Sequence, residues 1–170
     1  MNRLFTRIAC LAVLLLILDQ WSKSWIVAHY ALYQGFELTS FLNIVRVHNY
    51  GAAFSFLSDH SGWQKYFFIV LGVVASVFMS VWAWRAAKLG QTRLVTALGL
   101  IVSGAVGNVI DRFHYGYVVD FVDVFVGRWH WPAFNVADSC ICVGAALLIA
   151  DEYLRCKAEK QNAKTDTKTA

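Results

Sequence analysis

Tyr66-Phe67-Phe68-Ile69-Val70-Leu71-Gly72-Val73-Val74-Ala75-Ser76-Val77-Phe78-Met79-Ser80-Val81-Trp82-Ala83-Trp84 is a nineteen-residue run without one charged side chain. About 20 apolar residues in a helix cross a hydrocarbon core about 30 Å thick, so this run predicts a membrane span. The same window finds three more. Residues 94–110 are also charge-free and rich in Gly, Ala and Ser; residues 8–27 are interrupted by Asp19 and Lys23; residues 133–150 contain Asp138.

The whole chain agrees with that start. Its 170 residues are 58% hydrophobic and 15% charged, with one proline and a mean hydropathy of +0.50. A soluble domain is about 45–50% apolar and about 25% charged. The composition excludes a disordered chain and a charge-held nucleic-acid binder, and no nucleic-acid partner is expected. Arg3 and Arg7 precede the first apolar run as in an export signal, but no small-residue cleavage site follows, which predicts a retained helix. One domain is expected over residues 1–154, followed by a polar, disordered cytoplasmic tail at 155–170 whose Lys residues attract anionic lipid.

Orientation follows from Lys and Arg in the loops. Arg3, Arg7, Arg85, Lys88, Arg93, Arg155, Lys157, Lys160, Lys164 and Lys168 fall on one side if four spans alternate. Both termini are then expected in the cytoplasm. The two opposite loops are unusual connectors. Phe36-Glu37-Leu38-Thr39 and Asn43-Ile44-Val45-Arg46-Val47 read as strands of a small sheet. Residues 113–132 are rich in aromatics, including Trp129 and Trp131, which suit the headgroup level.

A charge within a span costs at least about 2.5–3.5 kcal/mol on insertion scales, so each needs a partner or a purpose. Asp19 and Lys23 stand four apart and can pair on one helix face. Asn108, Asp111 and Arg112 can share a face at the end of the third span, where Ser103 and Gly107 let a neighbouring helix approach closely. Asn135 and Asp138 open the fourth span one turn apart, and Asp120 interrupts an apolar run in the loop before it. By the predicted topology all of these converge on one depth, near the outer surface.

Paired, partly desolvated carboxyls cannot both ionise easily and so share a proton. One then activates water while the other protonates a scissile carbonyl, which is aspartic peptide hydrolysis. GxSxG, SxxK and HExxH are absent, and Cys10, Cys140, Cys142 and Cys156 have no metal-ligand spacing, so no metal or cofactor is expected. A small proton-coupled carrier also uses buried acids. It would spread them across the bilayer or carry an inverted repeat, and no repeat is visible.

Four blocks carry a resemblance: Asp19-Gln20-Trp21-Ser22-Lys23; Asn49-Tyr50-Gly51-Ala52-Ala53-Phe54-Ser55; residues 104–112 with Val119-Asp120-Phe121; and Phe134-Asn135-Val136-Ala137-Asp138. In this order they resemble the lipoprotein signal peptidases (signal peptidase II), aspartic peptidases of the bacterial inner membrane. The resemblance implies four transmembrane helices with a small periplasmic sheet cradle, an active site near the periplasmic face, and Asp120 and Asp138 as the catalytic dyad. Asp19, Lys23, Asn49, Asn108, Asp111, Arg112 and Asn135 match positions that shape or bind at the site, Asp111 being expected to pair with its neighbour Arg112. The implied substrates are diacylglyceryl-modified prolipoproteins, cut before the lipidated cysteine, and the antibiotic globomycin is expected in the same cleft. Ser103 departs from the family's usual Gly, which should touch packing and not chemistry.

Overall fold

The computed structural model describes residues 2–51 and 62–169, with side chains to Gln161. Residues 52–55 of the second motif block lie outside the described residues. The chain runs α1 (Arg3–His29), β1 (Gly35–Thr39), β2 (Leu42–Asn49), α2 (Trp63–Lys88), α3 (Thr92–His114), β3 (Val118–Val126), β4 (Trp129–His130) and α4 (Val136–Thr169). Among the described residues α1, α2 and α3 are long and apolar enough to cross a membrane.

These helices are inside out by the standard of a soluble bundle. On α1 the exposed side chains include Leu14, Ile17 and Trp21, while the buried ones are Asp19, Lys23 and Ile26. On α2, Val70, Val74 and Val77 are each 61% exposed, as expected of a surface solvated by lipid tails. The centre is α3, packed against α1, α2 and α4. Asn2 caps α1 by accepting from Leu4 N at 2.9 Å, and its amide donates to Ala87 O, tying α1 to the end of α2.

Helix α3 takes its neighbours through small residues. A Cβ on Gly104 would meet the carbonyl oxygen of Ala137, and one on Gly107 would lie 2.6 Å from Asp19 Oδ2. The Ser103 hydroxyl donates to Ala12 O at 2.8 Å. Ser103 and Gly107 thus do bring a helix close, and that helix is α1.

The four strands form one antiparallel sheet in the order β1-β2-β3-β4. The β1–β2 hairpin falls where alternation predicted it. Strand β3 corrects the sequence reading, which left Asp120 in a loop. Asp120 and Asp123 are three apart, so on a strand they face opposite sides. Strand β2 adapts with a bulge: Ile44 pairs with Val122 but Val47 pairs with Asp120, leaving Val45 and Arg46 opposite Phe121 alone. Val119 and Phe121 pack against Ile26 of α1, which fixes the sheet on the bundle.

The second correction is at the C-terminus. Helix α4 continues to Thr169, so residues after Arg155 are helical and not the irregular tail expected. That stretch is rich in Lys and Ala, both good helix formers, and Arg155 Nε pairs with Asp151 Oδ2 one turn back at 2.7 Å.

Gly104→Ala is expected to force α3 and α4 apart and to destabilise the protein by about 1–3 kcal/mol. Thermal unfolding of the purified variant in detergent, compared with wild type, checks this.

Candidate active site

The awkward polar residues named from the sequence form one connected cluster at the junction of α1, α3, α4 and the sheet. Asp19, Lys23, Asp111, Asp120 and Asn135 are each at most 2% exposed, and Asn108 and Arg112 are nearly so. A burial this complete leaves every polar atom in need of a partner.

Lys23 takes the centre. Its ammonium lies 2.9 Å from Asp19 Oδ2 and 2.9 Å from Asp111 Oδ2, and donates to Asn108 Oδ1 at 3.1 Å. The expected Asp19–Lys23 pair is present. The expected Asp111–Arg112 pair is not, because adjacent helix residues project about 100° apart. Asp111 turns to Lys23, and Arg112 turns away. The Arg112 guanidinium donates to Gly51 O at 2.6 Å and to Asn108 O at 3.3 Å, and stacks on Phe68 with its carbon 4.9 Å from the ring centre.

Asp120 and Asp138 stand apart from these ion pairs. Among the described residues neither has a basic partner in salt-bridge contact; amides hold both. Asp120 Oδ1 accepts from Asn135 Nδ2 at 2.7 Å and its Oδ2 from Asn49 Nδ2 at 3.1 Å. Asp138 Oδ1 accepts from Asn108 Nδ2 at 2.8 Å. Asn135 is also the N-cap of α4, its Oδ1 accepting from Asp138 N at 2.8 Å. One asparagine therefore contacts both acids, and Asn108 closes the ring by a 3.4 Å approach of Asn135 Nδ2 to its own Oδ1.

Burial, followed by the nearby Asp138 carboxylate, pushes the Asp120 carboxyl up to about 7, against the opposing hydrogen bonds from Asn49 and Asn135 and the charge of Lys23. A value of this kind belongs to an interacting pair more than to either member. An acid raised this far can carry a proton near neutrality, where an ordinary aspartate has lost it.

All nine residues named from the sequence are accounted for: Asp19, Lys23, Asn49, Asn108, Asp111, Arg112, Asp120, Asn135 and Asp138 join one network. Among the described residues no three His, Cys, Asp or Glu side chains converge as a metal-ligand set. The sequence reading missed Gln20, whose Nε2 donates to Asp111 Oδ1 at 2.9 Å, Asp19 Oδ2 at 3.1 Å and Gly107 O at 3.2 Å. An uncharged polar residue in a span was the available signal, the same one that picked out Asn108.

Two solved structures share this architecture, both described as bacterial membrane enzymes. One, determined in meso at 2.3 Å, is 32% identical with a TM-score of 0.78 and aligns over 91% of this chain and 92% of its own. The other, at 1.9 Å, is 30% identical with a TM-score of 0.74, over 85% and 91%. The fold is thus that of a membrane enzyme. The chain belongs to the signal peptidase II family, whose model matches residues 11–154. It is 50% identical over 145 residues to the lipoprotein signal peptidase of Janthinobacterium sp. (strain Marseille), covering 85% of this chain and 87% of that one. It is 48% identical over 147 residues to that of Alteromonas mediterranea, covering 86% and 80%. Membership makes it a peptidase.

Asn135 has two separable duties. Asn135→Ser keeps a capping oxygen but cannot reach Asp120, so it is expected to lose about 1–3 kcal/mol of stability, the cost of the buried acceptors it leaves without a donor, and most activity. Asn135→Ala is expected to lose both, and melting curves run beside turnover measurements distinguish the two.

Proposed function

We propose that this chain removes signal peptides from diacylglyceryl-modified prolipoproteins, cutting before the lipidated cysteine, and that Asp120 and Asp138 do so as an aspartic dyad. The observation that carries the mechanism is the contrast within the cluster. Asp19 and Asp111 are both ion-paired to Lys23, whereas Asp120 and Asp138 are held by neutral amides and stay free to exchange a proton.

With one proton between them, the ionised member takes a proton from water as it attacks the scissile carbonyl carbon. The protonated member gives its proton to the carbonyl oxygen, which forms a neutral gem-diol without a free oxyanion. On collapse of the diol the second acid, now ionised, takes back one hydroxyl proton as the C=O bond re-forms, and the first acid passes the proton it took from water to the leaving nitrogen as the C–N bond breaks. Asn49, Asn108 and Asn135 keep the carboxyl planes fixed, so little reorganisation is left for the reaction itself.

The setting completes the proposal. Four spans, with the first half of α4 as the fourth, put both termini in the cytoplasm and the sheet on the periplasmic side of the inner membrane. Residues 1–154 form the peptidase domain and 155–170 a cytoplasmic extension. The ten Lys and Arg residues on the proposed inner side support this orientation. A peptide bond anchored by its own diacylglyceryl group arrives at the depth where the acids sit, and a cyclic peptide of the globomycin type competes for that cleft.

Asp120→Asn and Asp138→Asn are each expected to lower cleavage of a diacylglyceryl-modified prolipoprotein at least about 10³-fold while leaving the fold intact. Assay in detergent with chelator present is the check; near-normal turnover by either variant removes that residue from the mechanism. In wild type the pair keeps its shared proton below about pH 7 and loses it above. The rate is therefore expected to fall as pH rises through about 7, a direction set by the raised Asp120 value.

A further inference from the structure

Asp19 and Asp111 do more than neutralise Lys23. Asp19 Oδ1 accepts from the backbone N–H of Ala137 at 2.8 Å, and Ala137 is the residue before Asp138. Asp111 Oδ2 accepts from the backbone N–H of Val119 at 3.0 Å, and Val119 is the residue before Asp120. Each of these acids therefore grips the main chain one residue ahead of a proposed catalytic acid. The two grips are joined to each other twice. Lys23 spans Asp19 and Asp111 with a 2.9 Å contact to each, and Gln20 Nε2 spans the same pair at 3.1 and 2.9 Å.

Taking Asp120 and Asp138 as the reacting pair proposed above, we infer that Gln20 and Lys23 are positioning residues that set the separation of the two catalytic carboxyls through this mirrored bracket. The path runs Asp138–Ala137–Asp19–(Lys23, Gln20)–Asp111–Val119–Asp120; Asp19, Lys23, Asp111, Val119 and Asp120 along it are buried, and Gln20 and Asp138 are partly so. Asp120 sits on β3 and Asp138 on α4, so the two elements need a common reference. Gln20 supplies the uncharged half of the cross-link and also reaches Gly107 O at 3.2 Å, which registers the bracket on α3.

The bracket has a measurable signature. Repulsion between two carboxyls separates their ionisation steps, and the separation shrinks as they move apart. Like charges released from a tether move apart. The charged groups facing the pair are Asp19 and Lys23 on α1 and Asp111 and Arg112 on α3, while β2 offers the neutral Asn49. Gln20→Met alters none of these charges and keeps the side-chain length.

The test is the pH profile of kcat for cleavage of a diacylglyceryl-modified prolipoprotein by the full chain in detergent. Wild type, Gln20→Met and Lys23→Arg are run together, with Asp120→Asn and Asp138→Asn as controls. Gln20→Met is expected to draw the two limbs of the bell toward each other by at least about 0.5 pH unit in total. It is also expected to lower kcat about 10- to 100-fold with KM within about twofold. Lys23→Arg keeps the charge and both carboxylates but changes the reach, so it is expected to draw the limbs together as well. It carries the test on its own where Gln20→Met yields no folded protein. Limbs that stay at their wild-type positions in the folded variants overturn the inference, whatever happens to the rate. Failure of wild type to cleave, or unchanged cleavage by an aspartate control, strikes the proposed function instead.

Discussion

The ammonium of Lys23 is the contact on which the rest depends. A lysine this deep is tolerable only if all three of its protons are taken, and Asp19, Asp111 and Asn108 take them. That single group locks α1 to α3. It also decides which way an amide points. Lysine can only donate, so Asn108 must present its oxygen to Lys23 and its NH₂ to Asp138. The same logic repeats at the other two asparagines. The backbone N–H of Asp138 pins the oxygen of Asn135, and that of Gly51 pins the oxygen of Asn49. Three amides are thereby forced to aim donors at two carboxyls.

Much of the fold was legible because lipid imposes simple demands. Uncharged runs mark the helices, and α1, α2 and α3 fall on the runs read at residues 8–27, 66–84 and 94–110, each extended by a few residues. Strands β1 and β2 were legible as the strand-like stretches at residues 36–39 and 43–47. Strand β3 was not, since Asp120 and Asp123 break the alternation that advertises a strand, and the bulge at Val45 and Arg46 is a pairing property that no single segment displays. The end of α4 was misjudged because polar composition says little about helicity when Lys and Ala dominate.

For the site, membership was legible and wiring was not. Charged and amide side chains in apolar runs are few, and a topology that gathers them at one depth names the cluster. Their partners depend on helix rotation and on which backbone N–H groups lie within reach. Asp111 illustrates this: sequence offered Arg112 beside it, whereas the helix turns it toward Lys23 on α1 and Val119 on β3. Gln20 offered the same signal as Asn108, an amide inside an apolar run, and was overlooked beside the charges of Asp19 and Lys23.

Among the described residues α1 and α2 expose many valine, leucine, phenylalanine and tryptophan side chains, while the contacts that join the site are polar and internal. Genetic tolerance is consequently reversed relative to a water-soluble enzyme. Outward-facing positions such as Leu14, Val70, Val74 and Ile149 can drift among any greasy residues without consequence. An interior exchange as mild as Asn for Asp, or Ala for Gly, strikes at once. Two such chains can diverge over most of their surface and still keep an interchangeable polar heart, so the history of the enzyme is written in its least exposed residues.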